Sequence, residues 1–213
     1  MAVMPQLEYK GSFSKRVGLK GTDEFDIAFN KPIEYFTTSD NYVKFIKACE
    51  HTVRAHEDYS VFKNYVMNVV GINFCQVTPE VHAEDAELEM HHAFFNLFDI
   101  CNIITNKRLK CGEKVNTFRV ANEVIDEHFA LHIPVVILAV TNHEMVTNRD
   151  IWLNVKSGFG NLSQFIEKYA AYLTDEQKYR IMTTIKLSQE IDSFDNHIFD
   201  DADKIKRVIR MAE

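Results

Sequence analysis

The sequence predicts an α+β fold that is predominantly helical, and three observations predict it. Apolar residues recur at three- and four-residue steps through most of residues 38–190, the period of helices with one buried face. Only short runs read as strands: Ile72–Val77, Leu88–His92 and Val135–Val140. The chain has 213 residues with 16 Phe and 8 Tyr, and no internal repeat or low-complexity tract. At this length about 70% of the unfolded surface can leave water, enough for one sizeable core.

Residues 1–37 alternate weakly between polar and apolar, with Gly11, Gly18 and Gly21 as punctuation, and read as an irregular or β-rich arm. Residues 38–190 form the helical core domain. Ser39 and Asp40 supply an N-cap for a helix bearing Tyr42, Phe45, Ile46 and Cys49. A second helix carries Tyr59, Phe62, Tyr65, Val66 and Val69 and stops at Gly71. The Ile72–Val77 strand candidate leads into an acidic loop over Pro79–Glu87, then Leu88–His92. Asn96–Lys110 reads as helix, closed by Gly112, and another helix follows Asn116 and Thr117 until Pro134 forbids continuation. Val135–Val140 is apolar, β-branched and bounded by breakers, the clearest strand. Asn142 and Glu144 open a short helix. Phe165, Ile166, Tyr169 and Leu173 mark the next, and Thr174 through Gln177 is a capping box that starts the last. Residues 191–213 form a charged tail, acidic and then basic from Lys204, that reads as a solvated helix or a mobile terminus.

Composition narrows the function. The formal net charge is −7, whereas proteins that live on nucleic-acid phosphates are usually basic. Any such role must therefore rest on a local patch. The longest apolar run, Ile133–Val140, contains a proline and falls far short of the ~20 residues that span a bilayer, so no membrane partner is expected. The start, MAVMPQLEYKG, lacks the charged-then-apolar pattern of a secretory signal. Cys49, Cys75, Cys101 and Cys111 form no CxxC pair, which suggests reduced core thiols and a cytoplasmic setting, the host cytoplasm for a viral chain.

Six of the nine histidines fall between positions 82 and 143: His82, His91, His92, His128, His132 and His143. Histidine titrates near neutral pH and is the commonest metal ligand. On an extended Leu88–His92, Glu89 and His91 share one face and His92 takes the other. One histidine could then meet a metal with Glu89 nearby while its neighbour serves as a base. Downstream, VILAVTNH is a strand running into a helix start, from which His143 can project back beside the first strand.

This arrangement resembles the HNH, or ββα-metal, nuclease family, in which a strand ends in a paired His motif, a second strand follows and a helix supplies further ligands. Glu-x-His-His is a form of the first motif, matched by Glu89-Met90-His91-His92, and LAVTNHEMVTN over Leu138–Asn148 looks like the second half. The resemblance spans about residues 87–150. The segments LEMHHAFFNLFDI, FRVANEVIDEHFALH and VTNHEMVTNRDI are also similar to HNH-like proteins encoded by tailed phages. The resemblance implies a small ββα-metal-like motif with a helical insertion, embedded in a helical domain. It implies a metal-dependent endonuclease that cleaves phosphodiester bonds in nucleic acid, DNA in preference to RNA, with one divalent ion (Mg, Mn or Zn). His92 would be the general base that activates water. His91 and His143 would hold the metal, which polarises the scissile phosphate, with Glu89 supporting. The family often has a second ligand four positions after the helix histidine. Here that position is Thr147, with Asn148 beside it as the substitute. The wide spacing between the half-motifs and the missing middle Asn, for which His132 is the nearest polar residue, fit an alternative: an inactive HNH-like scaffold that acts as a phage-type interaction or adaptor protein.

Two further groups compete for a role. His128 and His132 lie four apart, so on a helix both could face one metal or complete a site with His91 or His143. HFALH is not HExxH, which excludes the zinc-protease reading. Lys107, Arg108, Lys110, Lys114 and Arg119 crowd residues 107–119 against the single Glu113, a candidate phosphate-binding patch.

Overall fold

A computed structural model of the chain describes residues 29–154, 157–190 and 208–209. The described part of the arm ends in a 3-10 turn, Ile33–Thr37, and the rest of the arm lies outside the described residues. Helix α1 (Ser39–Arg54) is capped one residue earlier than the sequence suggests, because the Thr38 hydroxyl accepts from Asn41 N at 3.4 Å. It buries Phe45, Ile46, Cys49 and Val53. Helix α2 (Glu57–Asn64) is capped by the His56 ring, whose Nδ1 accepts from Asp58 N at 3.0 Å. A π-helical turn over Tyr65–Val69 extends it to Gly71, whose φ of +85° supplies the expected left-handed stop. Strand β1 (Leu88–His92) comes next, then α3 (Leu97–Lys110) with a capping box between Asn96 and Asp99, and α4 (Thr117–Phe129) capped by Asn116. Strand β2 (Val135–Ala139) runs directly into α5 (Val140–Asn148). Helix α6 (Leu162–Tyr169), a 3-10 turn (Ala170–Tyr172) and α7 (Asp175–Glu190) complete the body. The capping box that starts α7 forms as expected, with Thr174 and Gln177 exchanging bonds of 2.9 and 3.2 Å.

The fold is therefore mostly helical, with one small sheet: β1 and β2 pair antiparallel, Leu88 opposite Ala139 and His92 opposite Val135. The element order is strand, two inserted helices, strand, helix. The Ile72–Val77 strand does not form; only an isolated Phe74–His82 bridge remains. Its place beside β2 is taken by one residue. Gln76 N–H donates to Ile137 O at 2.9 Å, and the Gln76 side-chain oxygen accepts from Ile137 N at 2.8 Å. A side-chain amide thus stands in for the missing strand partner and satisfies a buried N–H.

Two apolar clusters make the core. The larger joins α1, α3, α4 and α6 through residues such as Ile46, Ile104, Val124 and Phe165. The smaller wraps the sheet with Phe62, Val66, Cys75, Leu88 and all five residues of β2. Total burial of β2 explains its unbroken apolar sequence. The tail is not wholly solvated: Ile209 is 1% exposed within the larger cluster. The remaining tail residues after Glu190, apart from Val208, lie outside the described set. No helix among the described residues is long and apolar enough to cross a membrane.

Candidate functional site

Strand parity sorts the Glu89-Met90-His91-His92 motif. Glu89 and His91 share one face of β1, and the first turn of α5 brings His143 against that face. The His91 and His143 ring centroids are 4.9 Å apart, planes at 69°. Glu89 Oε2 accepts from His143 Nδ1. That bond fixes a proton on Nδ1 of His143. The Glu89 and His143 side chains are 39% and 30% exposed, so solvent reaches them. Burial, with His143 adding, pushes His91 down to about 4, so its ring is neutral at physiological pH. Three of the residues singled out by the sequence thus meet at one place.

His92, expected as the general base beside them, does not. It is 7% exposed and turned into the interior between α2 and α4. Its ring stacks on Tyr59 with centroids 6.1 Å apart, and its Nε2 lies 2.9 Å from Nε2 of His128. The proton can be placed. His128 Nδ1 is 2.7 Å from Val124 O, which only accepts, so Nδ1 carries the His128 proton and His92 Nε2–H donates to His128 Nε2. Burial holds His92 well below its ordinary value and brings His128 down to about 4. The motif's second histidine is packed and hydrogen-bonded, away from the face that His91 and His143 share.

The other expectations divide similarly. His128 and His132 do not face one point. Helix α4 ends at Phe129, Leu131 turns to φ +58°, and His132 lies beyond the helix, bonded to Glu127 Oε2 at 2.7 Å. Asn148 is the exposed last residue of α5, five positions after His143 and so ~140° around the helix from it. Among the described residues no group of three or more His, Cys, Asp or Glu side chains is arranged to hold a metal ion. The start of the basic segment is compensated by two carboxylates, Glu113 and Glu123. Lys107 pairs with Glu113 at 2.6 Å, and Arg108 with Glu123 at 2.6 Å and Glu113 at 3.3 Å. Lys110 donates to Ala171 O at 3.1 Å. Lys114 and Arg119 also have partners.

Two polar clusters escaped sequence reasoning because their members are far apart in the chain. Glu127, 2% exposed, accepts from Lys168, His132 and Tyr169. Burial alone would raise its carboxyl, but these partners hold it below the ordinary value. At the start of α3, Asp99 receives both terminal nitrogens of Arg180, at 2.8 and 3.2 Å. The only early hints were a Glu inside an otherwise apolar helical face and an Asp at a helix N-terminus. Near the sheet, Cys75 accepts from the Asn142 amide at 3.0 Å, and that amide also donates to Thr78.

No curated protein and no solved structure matches the chain. A family model described as Bacteriophage G278-like virion protein matches residues 18–213, and the chain belongs to that family.

Proposed function

We propose that the chain is a non-catalytic component of the phage particle, working through protein–protein contacts. Membership in a virion protein family supports this. The observation that carries it is His92. The residue best suited to activate water spends its Nε2–H on a buried partner, His128. A general base must come within hydrogen-bond reach of the proton it abstracts. The ion pairs around Lys107 and Arg108 support the same reading, since cations already compensated by Glu113 and Glu123 offer little to phosphate. Quantitative mass spectrometry of gradient-purified particles tests it. The expected result is a fixed copy number in line with other particle proteins, with no cleavage of plasmid or single-stranded DNA by the purified chain.

A second reading draws on the convergence of Glu89, His91 and His143. It keeps a divalent metal on His91 and on Nε2 of His143, with Glu89 orienting His143 as carboxylates orient metal-bound imidazoles. On that reading the chain is an HNH-like endonuclease with a different base. Metal-dependent nicking that disappears in His143→Ala, from protein present only in traces in the particle, would favour it over the structural role.

A further inference from the structure

We draw no further inference here: the strongest candidate, the side-chain cluster of Cys75, Thr78 and Asn142 at the start of α5, holds a lone, fully buried cysteine and nothing else in the described structure points to a ligand for it.

Discussion

Replacing His128 with Leu removes the acceptor for a buried donor while roughly conserving volume. His92 Nε2–H, 2.9 Å from His128 Nε2, is then left in an interior that is closed to water on the His92 side (7% exposed). An orphaned buried donor costs about 1–3 kcal/mol. Val124 O keeps its helical partner, so the loss centres on His92. His92→Leu should cost a similar amount by stranding the His128 lone pair. The double Leu variant removes both polar atoms, so its cost should fall below the sum of the singles by about 1–3 kcal/mol. Titration adds a second signature. His128 lies near 4 when folded and at the ordinary 6.5 when unfolded. The unfolded chain binds the extra proton between those values. The contribution of His128 is therefore full above about pH 6.5 and is lost as pH falls toward 4, by up to about 3 kcal/mol. Urea unfolding of the four proteins from pH 7.5 to 5 reads both effects. Additive single costs would refute the proton assignment. His91 and His92, also held down, keep part of the slope in His128→Leu, so a slope there no shallower than in the wild type would refute the neutral, buried His128.

Two other outcomes follow from the packing and the charges. Ile209→Ala should cost about 2–4 kcal/mol in urea unfolding, because Ile209 is 1% exposed in the main core; a change under 0.5 kcal/mol would mean the tail does not dock in solution. Asp126 is pushed up to about 6, by burial first and then by Glu127 and Glu123. The folded chain thus holds a proton that the unfolded chain releases, so this residue lowers stability as pH rises from about 4 to 6. Asp126 stands at the surface, where solvent screening keeps the effect well below the full shift. Asp126→Asn should be modestly more stable than wild type at pH 7 and equal to it at pH 4, and a variant less stable at pH 7 would contradict this.

Helices were legible in the sequence because their signals are local. The capping boxes at Asn96–Asp99 and Thr174–Gln177 and the stop at Gly71 need only neighbouring residues. The strand at Leu88–His92 and the approach of His143 to Glu89 and His91 were also legible, through period-two alternation and element order. What failed depended on the third dimension. Ile72–Val77 has strand composition, yet Gln76 takes its place beside β2. The ion pairs within and beyond the basic run at 107–119 were likewise hidden, because Glu123, in the second turn of α4, faces Arg108 from another helix. His128 and His132 share a helical spacing, but the helix ends between them at Phe129.

The register of one strand pair decides most of what this surface can do. Because side chains alternate along β1, setting His92 opposite Val135 sends His92 inward to His128 and leaves Glu89 and His91 to meet α5. The same register turns the backbone of Leu88, Met90 and His92 away from β2. A one-residue slip would exchange all of these roles at once: His92 would join Glu89's partner on the solvent side, and His91 would need an interior acceptor. The buried His92–His128 bond resists that slip, since it would strand the His128 Nε2 acceptor in the core at a cost of about 1–3 kcal/mol. His92 is therefore a register pin. It holds β1 in the setting that gathers Glu89, His91 and His143 on one face.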